Sequence, residues 1–141
     1  MINNITEDYC SYENNKLLKE KGCLILKEGE SPTFIRKDNK TIVAVSRDWW
    51  DRELHKNYAN EDYVQKITLA LAIKWIYENY GIWISVKIAF KIINDKAFDS
   101  FAVDIQHHNN VDLCYNIEDK FDTSQEAYQA AISYTLLNLI K

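Results

Sequence analysis

Glycine and proline are scarce in this chain, with three and one in 141 residues. So few hinges exclude a flexible linker, no internal repeat or low-complexity run interrupts the pattern, and a single domain spanning residues 1–141 is expected. The same scarcity excludes the usual backbone cradles for phosphate: there is no GxxxxGK[ST] loop and no GxGxxG, and HExxH, GxSxG and EF-hand patterns are missing as well. Cysteine is sparse too. Cys10, Cys23 and Cys114 are odd in number and show no CxxC spacing, which excludes a disulfide framework and a CxxC-type metal or redox site. Their apolar neighbours suit small buried thiols.

An excess of positive charge is also lacking. Lys and Arg number 17 against 21 acids, a net charge of −4, which argues against a general electrostatic grip on nucleic acid. No apolar run approaches the roughly 20 residues of a membrane span. The opening MINNITEDYC carries acids where a secretory signal has basic residues and then an apolar core. A cytoplasmic protein is expected.

What is present is a strong alternation of patterns. A first helix runs from near Thr6 or Ser11 to Lys21, with Gly22 in the left-handed capping position and lysines 16, 19 and 21 complementing the helix dipole. Its apolar face is thin (Tyr12, Leu17, Leu18), so it is expected on the surface. Cys23–Lys27 reads as a strand, and Thr33–Arg36 with Thr41–Val45 as a hairpin around Lys37-Asp38-Asn39-Lys40. Asn60 is an expected N-cap for a helix reaching Tyr80, with Glu61 and Asp62 in its first turn, a broad apolar surface and Gly81 as its stop.

Ile82–Ile92 then alternates almost without error, with Ile82, Ile84, Val86, Ile88, Phe90 and Ile92 on one face and Trp83, Ser85, Lys87, Ala89 and Lys91 on the other. Asn94-Asp95-Lys96 turns the chain. Phe101, Val103 and Ile105, then Val111, Leu113, Tyr115 and Ile117, repeat the period of two and imply a three-stranded meander. Thr123-Ser124-Gln125-Glu126 is a capping box for a last helix with Ala127, Ala130, Ala131, Tyr134, Leu137 and Ile140 inward. The order α-β-β-β-α-β-β-β-α predicts an α+β fold: a mostly antiparallel sheet of five to six strands with three helices.

Three groups of residues could carry function. Arg47, Trp49, Trp50, Arg52 and His55 lie in SRDWWDRELHKNYAN, where Trp and Arg together suit a contact surface or stacking on a base. Trp49 and Trp50 equally suit plugging a sheet edge and covering the next helix. Asp104, His107, His108 and Asp112 combine imidazole and carboxylate as a transition metal would require, although adjacent strand residues point to opposite faces. A solvated hairpin turn accounts for them as well, so no metal and no cofactor is assigned. Trp83 and Lys87 lie on the second face of the long strand, where an open surface suits association of two copies through the sheet face, its edge or the central helix.

Three stretches, SYENNKLLKEKGC, TLALAIKWIYENYGIWISV and FDTSQEAYQAAISYTLLNLIK, resemble a family of small proteins common in phages and prophages of gut Bacteroidetes. About half the chain is covered, by hydrophobic helix patterns rather than catalytic motifs. The chain departs from the family at Asn14 and Asn15, where the family is usually apolar, and at Glu78-Asn79-Tyr80. The resemblance implies a mobile-element protein working inside a bacterial cell and brings no catalytic residue with it. The expectation is therefore a non-catalytic accessory protein of a phage or prophage, acting through protein contacts as a homodimer. Two alternatives stand beside it: a protein that binds or sequesters a small nucleotide-like ligand, and a metal-dependent hydrolase built on Asp104, His107 and His108.

Overall fold

The structure, a computed structural model, describes residues 8–26, 33–36, 42–44, 52, 56, 58, 63–108 and 110–140. The fold is α+β, with three helices and six strands in two antiparallel sheets among the described residues. The chain groups into two compact units, one formed by Tyr9–Thr68 and the other by Met1–Asp8 with Leu69–Lys141.

In the Tyr9–Thr68 unit, Ser11 accepts the Asn14 N–H at 3.2 Å and so opens helix α1, Tyr12–Glu20. Gly22, at φ +85°, closes it. Its N–H reaches the Lys19 carbonyl and the Cys23 N–H reaches that of Leu18, a pair that satisfies two otherwise free carbonyls and requires the left-handed glycine. The helix keeps Glu13, Lys16 and Glu20 in solvent, as its thin apolar face suggested, but its inner face is partly polar. Asn14, Asn15 and Leu18 are all buried. The strands β1 (Thr33–Arg36), β2 (Ile42–Ala44) and β3 (Tyr63–Gln65) pair antiparallel in the order β2-β1-β3. The expected β1–β2 hairpin is present in its register Thr33↔Ala44; its turn lies outside the described residues.

Two expectations are corrected here. Residues 63–65, placed in a helix starting at Asn60, are strand β3, because Val64 and Gln65 are needed beside β1. Of Cys23–Lys27, the described residues 23–26 form no strand. That segment is held instead by the buried Gln65 side chain, whose Oε1 accepts the Ile25 N–H at 2.8 Å while its Nε2 donates to the Ile25 carbonyl. One side-chain amide thus replaces one rung of a ladder. Asn15 does the same elsewhere: its Nδ2 donates to the Cys10 carbonyl at 3.2 Å and its Oδ1 accepts the Ile67 N–H at 3.3 Å. Buried amides are tolerated when both ends are satisfied, as these are. Phe34 is fully buried and meets Tyr58 edge-on at 5.5 Å, with Leu24, Leu26 and Tyr63 packed round it.

In the second unit, helix α2 (Leu69–Tyr80) buries Leu69, Ala72 and Ile76. Gly81, at φ +67°, stops it and turns the chain directly into β4 (Ile82–Ile93). Strands β4, β5 (Lys96–His107) and β6 (Asn110–Phe121) form the expected meander. Asn94 and Asp95, both at positive φ (52° and 63°), make the two-residue turn between β4 and β5; Asn and Asp tolerate that conformation best after glycine, and its twist matches that of the strands. Helix α3 (Ser124–Tyr134) is capped by Thr123, whose hydroxyl accepts the Glu126 N–H at 3.1 Å, and it packs on β4, β5 and β6.

The last turn departs from expectation. Residues 135–139 form a π turn, closed by Ile140 N–H to the Thr135 carbonyl, with the Thr135 hydroxyl donating back to the Ala131 carbonyl at 2.8 Å. The wider turn shifts the inward set, so Thr135, Leu136 and Ile140 are buried and Leu137 faces solvent.

Cys10 and Cys23 are buried free thiols, as their neighbours suggested. Burial pushes both up from 9.0 to about 12, Cys10 with a small further push from Cys23. A raised thiol pKa contributes stability that is complete below pH 9 and is lost as pH rises toward 12. Chemical denaturation at pH 8 and pH 10.5 should therefore show a loss of stability in this unit, and the Cys10→Ala/Cys23→Ala variant should show a smaller one. The surrogate rungs give a second expectation. Asn15→Leu strands the Ile67 N–H and the Cys10 carbonyl and should cost about 2–4 kcal/mol, read from urea midpoints, whereas exposed Lys16→Leu should cost under ~0.5 kcal/mol.

Candidate functional site

The junction of α2 with β4 gathers several chemically useful side chains. Gly81 folds β4 back so closely that Tyr77, in the last turn of α2, meets Trp83 edge-on, with ring centres 5.4 Å apart and planes at 87°. The register of β4 with β5 sets Trp83 opposite Gln106. At the far end of β5 the chain turns at His108, whose backbone N–H bonds to the Gly81 carbonyl. The His108 ring stands against Tyr77 at 5.6 Å and 86°, and its Nδ1 lies 3.4 Å from the Tyr77 hydroxyl.

These residues line an open cleft of about 500 Å³ whose described walls are Tyr77, Trp83, Gln106, His107 and His108. That volume lies within the range of small-molecule sites. Trp83 is 48% exposed and Tyr77 37%. His107, opposite buried Ile82 in the ladder, keeps its Nδ1 buried. The described walls are mainly aromatic and carry no lysine, arginine or carboxylate.

A second surface lies at the other end of the β4–β5 hairpin. The apolar face of β4 is covered at its base, where Ile82 and Ile84 are buried, and open beyond it: Ile88, Phe90 and Ile92 are 68%, 64% and 76% exposed. Ile93 and Phe98 are exposed beside the turn. Lys87 pairs with Asp104, and Lys91 with Asp122 at 2.8 Å.

Of the residues singled out in the aromatic-basic stretch, Arg47, Trp49, Trp50 and His55 lie outside the described residues, and Arg52 is exposed. The metal set is not assembled. Asp104 and His107 fall on opposite faces of β5, Asp104 is engaged by Lys87, and among the described residues no three His, Cys, Asp or Glu side chains are grouped to hold an ion. His107 and His108 do reach one cleft, because the strand ends between them. Trp83 is open to solvent as its face suggested, and Tyr77 and Gln106 join it. The register that brings Gln106 to Trp83 is set eleven residues away at Asn94-Asp95, and no local pattern marks it.

No family model, no curated protein and no solved structure matches the chain. Among the described residues no helix is long and apolar enough to cross a membrane.

Two isoleucines on one face of one strand give a direct check. Ile84, 2% exposed, should cost about 2–4 kcal/mol on truncation to Ala, and Ile88 on the open stretch should cost less than ~1 kcal/mol, both measured by denaturant unfolding.

Proposed function

We propose that this protein is a non-catalytic accessory protein that acts through protein contacts, as a homodimer joined along β4, in the cytoplasm of a bacterium that carries the phage or prophage encoding it. The resemblance of its helical stretches to phage and prophage proteins supports the setting. One observation carries the dimer: the open apolar row Ile88, Phe90 and Ile92 coincides with a strand edge that no described strand covers.

The coincidence follows from the ladder. His108 N–H bonds to Gly81 O, and bonded pairs alternate along an antiparallel register, so odd-numbered residues of β4 bond to β5. The even-numbered residues turn their N–H and C=O outward. These are the same residues whose apolar side chains are open. A second β4, antiparallel across a two-fold axis, satisfies those groups and sets both rows of Ile88, Phe90 and Ile92 on one continuous face. Lys87 and Lys91 are neutralised within their own copy by Asp104 and Asp122, so like charges do not oppose the pairing. The Lys120 ammonium, 3.3 Å from the Phe90 carbonyl, occupies one outward acceptor and is displaced on pairing.

At about two-thirds exposure each side chain is worth roughly 1–2 kcal/mol when covered. The three side chains of each copy and the backbone bonds of the seam, set against an association cost of about 4–15 kcal/mol, favour a weak dimer with a dissociation constant on the order of 0.1 mM. Sedimentation equilibrium should show a monomer–dimer equilibrium in that range. Phe90→Glu should be monomeric with an unchanged melting curve, and Lys120→Ala should dimerise more tightly. A wild type that stays monomeric at ~1 mM, about ten times the expected constant, or a dimer untouched by Phe90→Glu, overturns the pairing. Turnover of any substrate that is lost with one side chain overturns the non-catalytic reading.

A further inference from the structure

The cleft at the α2–β4 junction is separate in sequence from the dimerising row and carries chemistry that a protein contact does not need. Tyr77 meets both Trp83 and His108 at close to right angles. Edge-to-face contacts of this kind do not stack the rings upon one another, and half of the Trp83 surface remains in solvent. An indole face at the mouth of a cleft is a platform for a flat guest.

The polar groups round it are of one kind. The Gln106 amide, across the ladder from Trp83, offers a donor and an acceptor side by side. His107 falls on the other face of β5, beside buried Ile82, whereas the exposed His108 ring offers a nitrogen that has only a long contact with the Tyr77 hydroxyl. These groups match the in-plane edge of a nitrogen heterocycle, as a glutamine matches the paired donor and acceptor of adenine. With no lysine or arginine among the described walls, nothing there meets a phosphate with a fixed charge.

We propose that this cleft binds a nucleobase or nucleoside, a flat uncharged heterocycle, with Trp83 as the stacking surface and Gln106 and His108 reading its edge. Base stacking on an aromatic side chain tolerates any base, so the selectivity among bases rests with Gln106 and His108. A purine fits best, since its two rings cover the indole and its edge offers adjacent donor and acceptor atoms.

Isothermal titration calorimetry on the full chain tests this with adenosine, guanosine, cytidine, AMP and ATP as probes. Saturable one-site binding of a purine nucleoside is expected, with AMP no tighter than adenosine. Trp83→Ala should weaken binding about tenfold or more, Trp83→Tyr should retain most of it, and Gln106→Leu should weaken the preferred nucleoside more than the others. Both positions are exposed, so the fold survives; Gln106→Leu serves alone if Trp83→Ala does not. No saturable binding of any nucleoside at ~5 mM, a concentration that would reveal even millimolar affinity, overturns the proposal. So does binding unchanged in both variants, or AMP tenfold tighter than adenosine, which would place a cation in the site. Repeating the titration with Phe90→Glu separates the two readings: binding that persists in the monomer belongs to the cleft alone.

Discussion

A turn of two residues governs most of what the β4–β5–β6 sheet presents. Asn94 and Asp95 accept positive φ, and the pair between them and the strands leaves one register, Ile93 against Lys96. Because side chains alternate with period two, that register decides at a distance which residues share a face. It puts Trp83 beside Gln106, His107 beside Ile82, and Lys87 beside Asp104. It also decides which backbone groups look inward and which look out. A slip of one residue would carry Ile82 and Ile84 into solvent and dismantle the cleft together with the core, so the site and the stability of its unit are held by the same constraint.

The Tyr9–Thr68 unit solves a different problem. Its strands are short, three or four residues each, and much of its described backbone is irregular. The missing ladder is supplied by side-chain amides. Gln65 serves Ile25, Asn15 links Cys10 to Ile67, and the Tyr58 hydroxyl accepts from Gln65 N–H at 3.0 Å. Burial then holds Tyr58 in its neutral form, its hydroxyl pushed up to about 12. Lys19 completes the arrangement, donating to the Tyr63 carbonyl at 2.8 Å while lying over the Tyr58 ring. Polar groups in this interior are connectors.

What could be read in advance was whatever is local. The alternation of β4, the capping Thr123 and the stops at Gly22 and Gly81 depend on neighbours within a few residues, and each stands where its pattern placed it. What escaped depends on partners far along the chain. Asn15 and Gln65 look like surface residues until the backbone they serve, five to fifty-two residues away, is in place. Val64 fell inside the helix expected from Asn60, yet a short strand beside β1 takes it. The π turn hides because a helix with period 3.6 and one with a widened last turn differ only in which of Leu136 and Leu137 is dry. The cleft is the extreme case: Tyr77, Trp83 and His108 come from a helix end, a strand start and a turn, and only their closure makes a site.

The seam between Asp8 and Leu69 has a consequence of another order. Leu69 N–H bonds to the Asp8 carbonyl at 2.8 Å, and just beyond it Tyr9 and Thr68 form an antiparallel bridge. The chain therefore leaves the helix-and-meander unit and returns to it at adjacent points, with the whole Tyr9–Thr68 unit strung between. Such a closed excursion is the topology of an insertion. The loop-closure entropy of joining its ends grows only with the logarithm of the excursion's length, so the host unit is nearly indifferent to how large its guest is. Once the guest has folded and its ends meet, the entropy of bringing Asp8 to Leu69 has already been spent.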